Sequence, residues 1–213
     1  YTEGRQTLLK GIGVLGAGES LIFDKRSAHL QIVRYTDLTF KAAETVPPTE
    51  DLMEALDALH LKVFRRLVGE LDGRQVVVPL SGGLDSRLIV TMLKRLGYTN
   101  VLCFSYGKRG NWESRLSERI AADHGYPWRF VEYTPGRWEA WARDEGFQRY
   151  LLQASAAHTV AHIQDWPAVK ELSAQGGMAG DAVFIPGHSY DFLQGSHLDP
   201  LILAKASVGP DDL

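Results

Sequence analysis

A six-residue segment, Ser81-Gly82-Gly83-Leu84-Asp85-Ser86, combines the residue types that hold a charged phosphate group. It follows the apolar run Val76-Val77-Val78-Pro79-Leu80, and a helix is predicted to begin within it. The two glycines allow a tight turn and close approach to a ligand, and the N-terminus of a helix favours an anion. The hydroxyl groups of Ser81 and Ser86 add hydrogen-bond donors. The segment therefore predicts a phosphate-binding loop rather than a merely structural turn.

The carboxylate of Asp85 changes the chemistry expected of this loop. A carboxylate would repel a bare phosphate, so its presence predicts a bridging Mg²⁺ ion. The loop is not the Walker A pattern, because no Gly-Lys-Ser/Thr sequence follows the glycines, and it is not the dinucleotide-binding fingerprint either.

The segments on both sides of the loop alternate between strands and helices. Strands are predicted over 76–80, 100–106, 128–133 and 182–185, and helices over 49–71, 84–96, 112–124 and most of 137–175, with a break near Pro167. Such alternation with short turns is typical of a doubly wound parallel sheet. Ligands of these sheets bind at the carboxyl ends of the strands, where the loop lies. The predicted fold class is therefore α/β.

The first 45 residues differ from this pattern. Leu21-Ile22-Phe23 and Leu30-Gln31-Ile32-Val33 are short strand-like runs, and Asp24-Lys25-Arg26-Ser27 between them is a turn candidate. This arrangement predicts a short β-hairpin. Pro47-Pro48 then interrupts the chain, and we place a boundary there, between residues 1–45 and 46–213.

Composition excludes several function classes. The 213 residues carry a formal net charge of -3, with no long basic run, which counts against a sequence-independent nucleic-acid binder. No apolar stretch reaches the length of a transmembrane helix, so no membrane partner is expected. Cys103 cannot form an internal disulfide; we expect a buried free thiol and a cytoplasmic protein. The chain begins with Tyr1 and has no signal-peptide pattern, so we expect a piece of a longer protein.

The loop resembles the pyrophosphate-binding loop of the N-type ATP pyrophosphatases, and three further segments resemble the asparagine synthetase branch. Residues 7–35 are similar to the end of an amino-terminal glutaminase domain. Phe104-Ser105-Tyr106-Gly107, followed by Glu113, resembles the second strand and helix that hold adenine. The segment Val183-Phe184-Ile185-Pro186-Gly187-His188-Ser189-Tyr190-Asp191 aligns with a later glycine- and acid-containing segment of the family.

This resemblance implies a fold, a domain organisation and a reaction. The fold would be that of the adenine nucleotide alpha hydrolases. Residues 1–45 would be the tail of a glutaminase-like domain and a linker, with the glutaminase domain upstream in the parent protein. Residues 46–213 would be an ATP pyrophosphatase domain that is incomplete at its C-terminus. The reaction would adenylate a small-molecule carboxylate, release pyrophosphate and form an amide with ammonia or an amine.

The resemblance also implies site residues, taken over position by position. The implied substrate and cofactor are ATP and Mg²⁺. Asp85 and Asp191 would hold Mg²⁺, and His188 would be the catalytic residue. The nucleotide contacts would come from Leu80, Ser81, Gly82, Gly83, Asp85, Ser86, Ser105, Tyr106 and Gly187.

The chain departs from the family pattern after the last predicted strand. Pro186 stands where the family has a serine, and His188 stands where it has the glutamate thought to act as a general base. Ser189 and Phe192 replace a glycine and a second glutamate. His188 suits proton transfer, because imidazole exchanges a proton near neutral pH; a solvated or substrate-binding histidine is the alternative. Two other functions stay open: a nucleotide-binding module that has lost catalysis, and a tRNA-modifying ATP pyrophosphatase.

Two further groups of polar residues invite a functional interpretation. His158, His162 and Asp165 are spaced by four and three on a predicted helix, so we expect them to share one face. They could bind a metal, contact substrate or serve only structural roles. Lys108 and Arg109 follow the second strand and could reach a phosphate, or lie solvated in a loop.

Overall fold

The computed structural model describes residues 4–36 and 47–188. These residues divide into two compact units. The first unit takes the residues up to Leu52 together with Pro135–Lys170, and the second takes Met53–Thr134 and the residues from Glu171 onward. The predicted phosphate-binding loop, Ser81–Ser86, lies in the second unit. The domain boundary near residue 46 stays a prediction.

The described elements follow the predicted alternation of strands and helices. In chain order they are β1 (Glu19–Asp24), β2 (His29–Arg34), α1 (Thr49–Leu71), β3 (Val76–Pro79), α2 (Leu84–Arg95), β4 (Val101–Gly107), α3 (Trp112–His124), β5 (Trp128–Glu132), α4 (Pro135–Ala142), α5 (Glu145–Ser155), α6 (Asp165–Ala174) and β6 (Val183–Phe184). Most bounds agree with the sequence-based expectation to within two residues. The glycine at position 125 ends α3 in a left-handed conformation (φ 71°), which residues with a side chain rarely adopt.

The second unit contains a four-stranded parallel sheet in the order β5-β4-β3-β6. Val77 of β3 pairs with Leu102 of β4 on one side and with Phe184 of β6 on the other. The chain thus runs from β3 outward to β4 and β5, and then returns to the opposite edge of β3. A reversal of this kind leaves a crevice at the carboxyl ends of the strands, where open α/β sheets bind ligands. The predicted α/β class is confirmed.

The apolar run in β3 is explained by burial on both faces of the sheet. Val76, Val77 and Val78 are all fully buried, so successive side chains on opposite faces are both shielded from water. On one face the core includes Leu93 from α2 and Ala121 from α3. Helices α2 and α3 therefore pack on the same core as β3, the strand that precedes the loop.

The β-hairpin predicted before Pro47-Pro48 is present. β1 and β2 pair antiparallel, with Leu21 opposite Ile32 and Phe23 opposite Leu30. All four side chains are exposed in this unit. Within residues 4–36 and 47–188, the helices include none that is both long and apolar enough to cross a membrane.

The region from 137 to 175 is helical, but the expected break near Pro167 is wrong. The helices are interrupted at 143–144 and again at 156–164. Pro167 lies in the first turn of α6, where its missing N–H group would have no partner within the helix. The loop at 156–164 instead begins with Ala156 and Ala157 in left-handed conformations, which end α5.

The buried thiol provides a direct test of this core. Cys103 is fully buried in β4, and burial raises its pKa to about 12. At pH 8 the thiol should stay protonated and should not react with a reagent such as dithionitrobenzoate while the chain is folded, because the thiolate is the reactive form. In denaturant, one thiol per chain should react within minutes. Rapid stoichiometric labelling of the folded protein would contradict this packing.

Candidate functional site

The predicted phosphate-binding loop leaves β3 at the carboxyl end of the sheet. The backbone N–H of Leu80 still donates to the carbonyl of Phe104, at 2.8 Å, so the chain follows β4 for one residue beyond the strand. The side chain of Leu80 is only 1% exposed and packs in the core. Any contact between this predicted site residue and a ligand would therefore come from its backbone.

Two serine side chains hold the loop closed. The backbone N–H of Ser81 donates to Oγ of Ser86 at 3.2 Å, and the two hydroxyl oxygens lie 3.2 Å apart. The N–H of Gly83 donates to Oγ of Ser81 at 3.1 Å. These bonds join the first residue of the loop to the first turn of α2. The serines thus define the shape of the loop, a role additional to the donor role predicted from sequence.

The N-terminus of α2 has no side-chain cap. Its N-cap residue is Gly83, which is extended (φ -74°, ψ 166°) and has no hydroxyl or carboxylate to accept a hydrogen bond from the first turn. Helices are commonly capped there by Ser, Thr, Asp or Asn, because the first N–H groups lack partners within the helix. An anionic ligand can accept from these groups, and the positive end of the helix dipole favours it.

The segment after β6 lies directly on the start of α2. A Cβ atom added to Gly187 would lie 2.7 Å from the backbone N of Ser86 and 3.2 Å from the carbonyl carbon of Asp85. Both neighbours are backbone atoms, so a larger residue at 187 could not be accommodated without a shift. The structure thus brings Gly187 onto the loop, while its contact with a nucleotide stays a prediction. His188 follows it and is exposed; the predicted metal ligand Asp191 lies outside the described residues.

Arg87 is a feature of the loop that sequence reasoning missed. Its Nη2 donates to the carbonyl oxygen of Gly82 at 3.1 Å. Its Nε is buried without a hydrogen-bond partner in the described structure. A buried donor without a partner costs free energy, so such groups are uncommon in native structures. A guanidinium beside an uncapped helix start is chemically suited to an oxyanion such as a phosphate.

The second strand supplies the remaining predicted nucleotide contacts. Ser105 is buried in β4, and Tyr106 is half-buried near its end. The ring of Tyr106 stacks on Tyr133, with centroids 5.0 Å apart and planes 14° apart. The strand ends therefore place an aromatic pair at the same edge of the sheet as the loop.

The polar groups outside the loop are arranged differently from the expectation. His158 and His162 lie in the segment between α5 and α6, so the prediction that they share a helix face with Asp165 is wrong. Nδ1 of His162 lies 2.9 Å from Oδ2 of Asp165, within hydrogen-bond distance. No group of three metal-binding side chains occurs in the described part of the chain. Arg109 is paired with Glu132 at 3.3 Å.

Comparisons with known proteins found a matching family model, a curated relative and similar solved structures. The family model described as asparagine synthase matches residues 54–197, which is more than half of the chain. A curated relative, the 7-cyano-7-deazaguanine synthase of Pseudomonas fluorescens (strain SBW25), is 39% identical over 56 residues. That match covers 26% of this chain and 25% of the relative, so the chain spans about a quarter of that protein.

Two solved structures are also similar. The NH3-dependent NAD synthetase of Campylobacter jejuni subsp. jejuni NCTC 11168, in complex with the nitrate ion, gives a TM-score of 0.37 at 20% identity, over 55% of this chain and 52% of that one. The NAD+ synthetase of Burkholderia pseudomallei gives a TM-score of 0.33 at 20% identity, over 65% of this chain and 62% of that one.

Substitution of Gly187 tests the contact between the segment after β6 and the start of α2. Gly187→Ala should lower the free energy of unfolding by about 1–3 kcal/mol, because the added methyl group would meet the backbone of Ser86. Gly180→Ala is the matched control, since a Cβ there meets nothing within 4 Å. Urea unfolding measures both changes. Equal unfolding free energies for the two variants would contradict the close packing at position 187.

Proposed function

The chain belongs to the asparagine synthase family, and from this premise we propose that its second unit binds ATP as a substrate. The triphosphate would lie at the loop formed by Ser81–Ser86, beside the end of β3. The chain spans only part of the relatives it matches, and we propose an activity for the whole protein on the same basis.

The observation that carries the proposal is the contact of Gly187 with the backbone of Asp85 and Ser86. It brings the segment after β6 to the uncapped start of α2, at the reversal point of the sheet. The guanidinium of Arg87, whose Nη2 donates to the carbonyl of Gly82, adds a positive charge beside the loop. Helix N–H groups, a guanidinium and a close-packed glycine are together suited to a polyphosphate.

We propose carboxylate activation as the reaction. A carboxylate oxygen of the substrate attacks the α-phosphorus of ATP, the bond from that phosphorus to the bridging oxygen breaks, and pyrophosphate leaves. Ammonia or an amine then attacks the acyl carbon of the adenylate, and AMP departs with the bonding electrons. The loop N–H groups would stabilise the negative charge that develops on pyrophosphate.

Two carboxylates of the chain would hold Mg²⁺ for this reaction. Asp85 lies in the first turn of α2, and Asp191 lies three residues beyond the last described residue. Oxygen ligands of this kind suit Mg²⁺, which when bound supplies positive charge to neutralise the phosphate oxygens.

The proposed role of His188 is to accept a proton from the attacking amine. It adjoins Gly187, which lies on the loop, and its side chain is exposed and therefore accessible to a substrate. A general base contributes to the amide-forming step but is not needed for attack by a carboxylate, which is already ionised. The two half-reactions should therefore depend differently on this residue.

A second candidate is nucleotide binding without turnover. The departures from the family pattern at Pro186, Ser189 and Phe192 favour it, because they lie beside the proposed catalytic position. This candidate shares the ATP site and differs in the absence of products. Product analysis therefore separates the two functions.

Substitution of the loop carboxylate tests ATP binding. Asp85→Asn should weaken binding of Mg·ATP about tenfold or more in a calorimetric titration, because the amide cannot replace a charged Mg²⁺ ligand. Asp123→Asn, an exposed carboxylate on α3, is the matched control and should bind within about twofold of the wild type. Equal binding by both variants would contradict the assignment of Asp85. Formation of AMP and pyrophosphate by the wild type then distinguishes an enzyme from a binding module.

Substitution of His188 tests the proposed base. With L-aspartate as the first probe carboxylate, His188→Gln should keep the exchange of labelled pyrophosphate into ATP within about threefold. Amide formation with ammonia should fall about a hundredfold or more, the usual contribution of a general base. Equal loss of both activities would assign His188 to substrate binding, and no loss of either would make it a solvated loop residue.

A further inference from the structure

Trp112 is an exposed aromatic residue beside the phosphate-binding loop. It is the first residue of α3, and its side chain is 68% exposed. The N-cap Asn111 fixes the start of this helix: its Oδ1 accepts from the N–H of Ser114 at 2.7 Å, and its Nδ2 donates to the carbonyl of Lys108 at 2.7 Å. The backbone that carries the indole is thus held on both sides.

The indole rests on the backbone of the loop. A Cβ atom added to Gly82 would lie 2.8 Å from Cζ3 and 3.2 Å from Cη2 of Trp112, and 3.4 Å from Cδ2 of Leu116. Only a glycine leaves room for the ring at this distance. The six-membered ring of the indole therefore borders the same residue whose carbonyl accepts from Arg87.

This placement separates two kinds of chemistry around one loop. The uncapped start of α2 and the guanidinium of Arg87 favour an anion. The indole, in contrast, offers a large flat apolar surface to solvent, and covering such a surface is favourable. A ligand that joins a polyphosphate to a flat heteroaromatic ring would satisfy both. A small carboxylate would satisfy only the first.

We infer that Trp112 is the stacking surface for the base of the nucleotide bound at this loop. The inference rests on the proposed ATP site and adds a residue to it that the resemblance does not supply. Tyr106 and Tyr133 stack on each other, so part of their ring surface is already covered. Trp112 is two-thirds exposed and lies in direct contact with the loop, so within the described residues it offers a base an exposed aromatic surface at the loop.

The test compares a ligand that has a base with one that has none. Mg·ATP and Mg·tripolyphosphate are titrated into the wild type, Trp112→Ala and Trp112→Phe. Trp112→Ala should weaken binding of Mg·ATP about tenfold, the value of one base–aromatic stack of about 1.4 kcal/mol. Its binding of tripolyphosphate should stay within about twofold of the wild type. Trp112→Phe keeps an aromatic face and should recover most of the affinity for ATP.

Fluorescence provides a second readout of the same contact. Mg·ATP should quench part of the tryptophan emission of the wild type, and this part should be absent from Trp112→Phe. Tripolyphosphate should not produce it. Leu152→Ala, which alters another exposed apolar side chain in the first unit, is the control and should bind both ligands as the wild type does.

Each other outcome overturns the inference in a recognisable way. Equal weakening of both ligands in Trp112→Ala would mean that the indole only maintains the shape of the loop. Unchanged binding of ATP would mean that the base lies elsewhere. If the folded wild type bound neither ligand, the proposed ATP site itself would fail, and the assignment of Trp112 would fail with it.

Discussion

The close approach of two backbone segments at the end of β3 is the constraint on which the rest of the site depends. Gly187 lies against the backbone of Asp85 and Ser86, and no larger residue fits there without a shift. Because β6 pairs with β3 on the side opposite β4, the segment after β6 meets the loop at the point where the strand order reverses. The parallel pairing of these strands and the contact at 187 are therefore parts of one arrangement.

This arrangement leaves the start of α2 without a side-chain cap and one buried donor, Nε of Arg87, without a partner in the described structure. The serines at 81 and 86 close the loop by bonding to each other, and Gly83 begins α2 without a side-chain cap. A buried donor without a partner is costly in a folded protein unless a ligand accepts from it. The same features that would make this turn a poor structural element make it suited to an oxyanion.

Much of the fold could be predicted from the sequence, because its patterns are local. The valine run of β3 and the glycine that ends α3 determine their elements without reference to distant residues. Pro167 misled the prediction, because a proline in the first turn of a helix is tolerated and the chain breaks earlier, at 156–164. Because 156–164 is not helical, His158 and His162 do not share the predicted helix face with Asp165.

The candidate site divides in the same way. Residue types and a family resemblance predict the loop and Gly187 as site residues, and the structure brings them together, while their contacts with a nucleotide stay a prediction. The sequence did not single out Arg87 and Trp112, because an arginine or a tryptophan in the first turn of a helix is ordinary. Their importance depends on contacts with Gly82, which lies 5 and 30 residues away and meets them only in the folded chain.

Amide chemical shifts measured during a titration with Mg·ATP test the central claim most directly. If the donors of the loop hold the phosphates, the largest ¹H–¹⁵N shift changes should occur at residues 82–87 and at Gly187, with little change in α5. Changes concentrated outside the loop, or their absence in a folded chain at millimolar Mg·ATP, would contradict the account.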